Sequence, residues 1–223
     1  MKPNTLTPVI GLTINEIVYR KLLKAILSGD LPPGTPITIS QLAATLRVSL
    51  MPVREALKRL ETQNLIQFSR NRRITITELS PSDVEEIYRI RVNLESMAAR
   101  RAARRREDET VEKIQHIMDE MRVAENVGEL YGKNREFHFS IYRAANMPIL
   151  LQMIEGLYHR ISPYIHVYID EAMDYSAAIS CHEGIIRGMR EKNPGEVAKW
   201  VSRDLAISAK ISIRGLKRLQ TER

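Results

Sequence analysis

Among its 223 residues the chain has a single cysteine, Cys181. That excludes an internal disulfide framework and fits a reducing cytoplasm. Long apolar runs are missing too. None approaches the ~20 residues that a membrane-spanning helix needs, so no membrane partner is expected. The opening MKPNTLTPVIGLT has no charged region followed by an apolar core, so no secretory signal is expected. Internal repeats are absent, and the one biased tract is the arginine-rich run at 100–106. What remains is an ordinary globular composition, 43% hydrophobic and 27% charged, on a chain long enough for one large domain or two modest ones.

The net charge of +7 is unevenly placed. Residues 1–77 hold 11 Lys/Arg against 4 Asp/Glu, whereas residues 78–223 hold 23 of each. All the excess positive charge therefore lies in the first third. A basic module joined to a neutral partner is the footprint of phosphate binding.

Residues 1–12 read as a loose polar arm. From Thr13, apolar residues recur at Ile14, Ile17, Val18, Leu22, Ile26 and Leu27, a helical stripe that Gly29 stops. Leu31-Pro32-Pro33-Gly34 is a rigid turn. Ser40 to Leu46 reads as a short helix with Leu42, Ala43 and Leu46 facing inward. The next helix starts after Ser49, a capping residue, and carries Pro52 in its first turn. Val53, Ala56, Leu57 and Leu60 form its apolar face, with Arg54 and Lys58 on another. Two short helices joined by a tight turn make a helix-turn-helix. Leu65 to Phe68 and Ile74 to Thr77 then read as two strands around a basic tip, residues 69–73. The predicted fold is mainly α, a winged helix-turn-helix over 1–78 followed by an all-helical bundle over 79–223. The bundle opens at Ser80-Pro81-Ser82-Asp83, where Ser80 and Asp83 form a capping box. Helices are expected at 81–106, 108–127, 129–145, 148–171, 175–191 and 195–219, with a kink at Pro163.

The segments LPPGT, LAATLRVS, MPVREALKRLE and NLIQ resemble the winged-helix domain of GntR-type bacterial transcription regulators. Arg91 and Glu95, Asn134 and His138 in NREFHFSIY, Asn146 in AANMPIL and His182 in CHEGII resemble the all-helical FCD effector domain of the FadR-like branch. The resemblance spans nearly the whole chain. In the second part Asp204 stands where the family usually has histidine, and in the winged helix three positions depart from the family pattern. Arg47 stands where glycine is usual in the helix-helix turn, Leu50 where arginine follows the capping serine, and Arg73 where the wing tip carries glycine.

The resemblance implies a homodimer that binds double-stranded operator DNA, a repressor whose affinity is set by a small carboxylic acid. Ser49, Met51, Pro52 and Arg54 would face the major groove, with Arg54 bonding guanine. Arg70, Arg72 and Arg73 would contact phosphates or the minor groove. Asn134, His138, His182 and Asp204 form an all-nitrogen-and-oxygen set able to hold zinc, nickel or manganese. The alternative is a hydrogen-bonded core without an ion. Arg91 is either an effector anchor, helped by Arg160 or Tyr164, or the i,i+4 ion-pair partner of Glu95. A rival of another class is a metal-dependent enzyme built on His138, His182 and Asp204, for which no neighbouring general base offers itself.

Overall fold

The computed structural model describes residues 11–69, 73–105, 108–168 and 175–221. Most of the expected N-terminal arm lies outside the described residues, as do Arg70 and Arg72. The buried apolar side chains form two separate clusters, one between Val18 and Ile76, the other between Leu79 and Leu216.

The first cluster belongs to the winged helix. Helix α1 (Ile14–Leu27) is capped by Thr13, whose hydroxyl accepts from the Glu16 N–H at 3.2 Å. Its buried stripe is Val18, Tyr19, Leu22 and Ile26, so Ile14 and Ile17 lie outside the core face and are exposed. Helix α2 (Ile39–Leu46) is capped by Thr38, whose hydroxyl accepts from the Gln41 N–H. Helix α3 (Leu50–Thr62) buries the expected Val53, Ala56, Leu57 and Leu60. Strands β2 (Ile66–Phe68) and β3 (Ile74–Ile76) pair antiparallel, with Gln67 opposite Thr75. A third strand, β1 (Pro36–Ile37), lies on the other side of β3, with Ile37 opposite Ile74, giving the order β1-β3-β2. The expected wing had two strands. Two residues after a Pro-Pro-Gly turn offer no alternation to read, and only pairing with β3 makes them a strand.

The second cluster fills a bundle of α4 (Pro81–Arg105), α5 (Asp108–Arg122), α6 (Val127–Ala144), α7 (Pro148–Tyr168), α8 (Ser176–Arg190) and α9 (Pro194–Thr221). The capping box forms. The Asp83 N–H donates to Ser80 Oγ at 3.1 Å, and the Ser80 N–H donates to Asp83 Oδ2 at 2.8 Å. Helix α7 continues through Pro163. It also meets the winged helix. The Ser162 hydroxyl donates to the Leu27 carbonyl at 3.2 Å, and the Tyr164 hydroxyl accepts from the Leu79 N–H at 2.6 Å and donates to the Thr77 carbonyl at 3.3 Å.

Candidate functional site

Two regions carry chemistry. The first is the start of α3. Ser49 sits at its N-cap with extended backbone and exposed, but its side chain makes no cap hydrogen bond. Leu50 and Met51 follow with 47% and 63% of their surface exposed, unusual for large apolar side chains. Arg54 is exposed one turn on. Its acidic neighbour Glu55 pairs instead with Lys58 at 3.3 Å, and among the described residues no ion pair engages Arg54. Pro52 is a correction. It is buried with Val53, Ala56, Leu57 and Leu60 and does not face outward, because it lies one turn before Ala56 on the apolar face. Arg73 is exposed at the foot of β3, where its carbonyl accepts from the Ser69 N–H at 2.8 Å. The turn that aims α3 depends on Arg47, whose backbone is left-handed (φ 54°, ψ 47°). Glu16 ties α1 to α3, accepting from Arg59 Nη1 at 2.7 Å while that guanidinium stacks 3.6 Å from the Tyr19 ring centroid.

The second region is a cavity of about 80 Å³ inside the bundle, walled by α4, α6, α7, α8 and α9. A water needs only roughly 10–15 Å³ on such a measure, so there is room for a small molecule. Arg91 from α4 lines it, and is 5% exposed. Its Nε donates to Glu95 Oε1 at 2.7 Å, the expected i,i+4 pair. Its Nη1 is buried with no partner. The two readings of Arg91 are therefore compatible, since one edge of the guanidinium is paired and another is left over. Arg160 and Tyr164 do not line this cavity. Arg160 borders a small crevice with Ile26, Leu65 and Leu79. The Tyr164 hydroxyl spans Thr77 and Leu79 at the junction of the two clusters.

His138 on α6, His182 on α8 and Asp204 on α9 converge at one end of this region. Their ligand atoms all lie within 4.8 Å of one another. His138 Nε2 is 3.2 Å from Asp204 Oδ2 and 3.2 Å from His182 Nε2, and His182 Nε2 is 3.6 Å from Asp204 Oδ1. Those are the spacings between ligands around one ion, roughly 3.3 Å for a tetrahedral centre with bonds near 2.0–2.1 Å. Asn134 lines the cavity one turn before His138 on the same helix.

The hydrogen bonds bear on the protons. The Tyr142 hydroxyl donates to Glu95 Oε2. Burial, and after it the charge of Glu95, raise this phenol well above its ordinary range, so it keeps its proton. With that proton committed, its oxygen accepts from His138 Nδ1 at 3.3 Å. The network thus places a proton on His138 Nδ1 and turns Nε2 toward the Asp204 carboxylate, 3.2 Å away. Burial works to raise the Asp204 pKa, but the hydrogen bond from His138, with the charges of His138 and Arg91, holds it below the usual carboxylate range. Burial also lowers the His182 pKa to about 4, which keeps that imidazole neutral. His138 Nε2, the Asp204 carboxylate and a neutral His182 imidazole thus face one another, an arrangement that holds a proton or a cation between them. The donor set fits a divalent ion, which must bind deprotonated ligands.

Sequence reasoning missed Tyr142 and Arg135. Tyr142 had a usable signal, standing one turn after His138 on the same helix. Arg135 had none, since its role depends on how α6 and α7 pack.

Residues 14–76 match the profile described as bacterial regulatory proteins of the gntR family, and residues 86–206 match that of the FCD domain. The HTH-type transcriptional regulator McbR of Escherichia coli K12 is 35% identical over 66% of this chain and 67% of its own length. The uncharacterized HTH-type regulator YdhC of Bacillus subtilis is 31% identical over 81% of this chain and 82% of its own. The gluconate operon transcriptional repressor of Bacillus licheniformis is 27% identical over 78% and 74%. The solved structure of E. coli McbR/YncC superposes with a TM-score of 0.82 at 27% identity, covering 92% of this chain and 99% of that one. These relatives are transcriptional regulators and give the metal-enzyme reading no support. Among the described residues no helix is long and apolar enough to cross a membrane. With a GntR winged helix followed by an FCD domain, the chain belongs to the GntR family and is a DNA-binding transcriptional regulator.

Proposed function

We propose that the chain is a cytoplasmic repressor, built of a reading unit over 1–78 and a sensing unit over 79–223. It works as a homodimer on a near-palindromic operator, because a two-fold dimer matches a two-fold site. Arg54 reads guanine from the exposed start of α3, flanked by Ser49 and Met51. Arg73, with Arg70 and Arg72, holds the phosphate backbone. Exposed apolar pairs on α4 (Ile90, Met97) and α7 (Ile149, Met153) support pairing of two chains. The name of the gluconate repressor supports the sign of regulation.

The bundle cavity is the effector site, and its ligand is a small carboxylic acid. One observation carries this: Arg91 Nη1 is a buried charged donor without a partner, in a cavity that also holds three convergent ligand groups. A carboxylate answers a guanidinium edge with paired, charge-assisted hydrogen bonds. His138, His182 and Asp204 hold a divalent ion of the zinc, nickel or manganese kind, with Asn134 nearby. Such an ion supplies the missing positive charge and an open position for an acid oxygen. The acid controls DNA binding only so far as it prefers one arrangement of the two reading heads.

The test is metal analysis of protein prepared without chelator or nickel resin, followed by thermal unfolding with and without the ion. About one divalent ion per chain and a higher midpoint in its presence are expected. Sub-stoichiometric metal that gives no protection contradicts the metal site.

A further inference from the structure

A second unpaired cation lines the same cavity. Arg135 stands on α6, three residues before His138. Its guanidinium carbon is 4.9 Å from the Phe139 ring centroid and 5.4 Å from that of Tyr158. Its Nε is buried and has no hydrogen-bond partner, and among the described residues no carboxylate pairs with it. Arg91 approaches the same ring, its guanidinium carbon 5.7 Å from the Tyr158 centroid. The two distances to this shared ring bound the separation of the guanidinium carbons at about 11 Å. The two carboxylates of the cavity wall are already engaged, Glu95 with Arg91 Nε and Tyr142, Asp204 with the histidines. The Tyr175 hydroxyl, also on the wall, is buried without a partner.

The charge count points the same way and rests on the effector and metal reading above. Two guanidiniums, Arg91 buried and Arg135 half-buried with its Nε enclosed, and one divalent ion face two carboxylates, leaving two positive charges in an aromatic-walled space. Charge of one sign gathered in such a space favours a matching counter-charge. A monoacid supplies one.

We propose that the effector is a short-chain diacid, with one carboxylate held by Arg91 at the histidine end and the other by Arg135. A chain of roughly three to six carbons suits two guanidiniums no more than about 11 Å apart. Phe139 and Tyr158 hold the Arg135 guanidinium by stacking, so the cation is positioned before the ligand arrives.

Calorimetric titration of the metal-loaded full chain with length-matched acids tests this, using butyrate against succinate, valerate against glutarate and hexanoate against adipate. The best diacid is expected to bind about tenfold or more tightly than its monoacid, and Arg135→Gln to remove that preference while leaving monoacid binding within about threefold. Arg135→Lys, which keeps the charge, retains part of the preference and serves if the glutamine variant fails to fold. Diacids no tighter than monoacids, or a preference intact in Arg135→Gln, overturn the diacid and leave the acid-binding reading standing. Failure of every acid to bind metal-loaded protein overturns both.

Discussion

Arg47 holds a left-handed backbone, φ 54° and ψ 47°, in the turn that sets α3 against α2. Among the described residues three other non-glycine positions share that conformation, Asn64, Asn146 and Lys192, each just beyond a helix C-terminus. Asparagine is the commonest substitute for glycine there, which gives Asn146 a conformational reason and needs no ligand. An arginine in that region strains its Cβ against the backbone. Arg47→Gly should therefore raise the unfolding free energy by about 0.5–1 kcal/mol in chemical denaturation; an unchanged or lower midpoint would show that the turn carries no strain. The Arg47 side chain is exposed, just before the start of α3. At this scale the residues of α3 were mostly legible. The spacing of Val53, Ala56, Leu57 and Leu60 fixes the apolar face and leaves Arg54 off it. Pro52 was misplaced by following the resemblance over the spacing, since its own position one turn before Ala56 puts it inside.

Helix α8 packs on α9 through glycines. A methyl group built on Gly184 would stand 2.3 Å from the Trp200 ring, and one on Gly188 would stand 2.8 Å from a Val197 methyl. The two glycines lie one turn apart and let α9 approach closely enough to bring Asp204 to His182. Gly184→Ala should lower stability by about 1–3 kcal/mol and loosen the His182–Asp204 approach, readable as a lower melting midpoint together with weaker metal retention. A midpoint unchanged by Gly184→Ala would mean that Trp200 swings away freely. The bundle helices follow apolar periodicity, and α7, α9 and α4 begin at local signals, Pro148, Pro194 and the Ser80–Asp83 capping box, all of which a sequence displays. Strand β1 was not legible, because its two residues become a strand only by pairing with β3. Half of the cavity was hidden for a similar reason. His138 and Asn134 share a helix face that spacing reveals, whereas Arg135 meets Tyr158 only through the crossing of α6 and α7.

At the scale of the molecule, α7 is the element that touches both units. Tyr158 and Ile165 line the cavity, while Ser162 and Tyr164 bond to Leu27, Thr77 and Leu79 on the side of the winged helix. A ligand that shifts α7 thus has a direct mechanical route to the reading head. Tyr164→Phe removes the hydroxyl that clamps the junction. It should cost about 1–3 kcal/mol through the unpaired Leu79 N–H and reduce the response of DNA affinity to the proposed acid effector, measured by fluorescence anisotropy; a full response in that variant would place the coupling elsewhere. The basic charge of the first third and the exposed start of α3 converge on one claim, that Arg54 reads the operator. A gel-shift titration at fixed salt, on DNA selected from a random pool by the wild-type chain, tests it most directly. Arg54→Ala should weaken binding by about 1–3 kcal/mol and relax the sequence preference, whereas an unchanged affinity for the selected DNA would contradict the assignment of α3 as the reading helix.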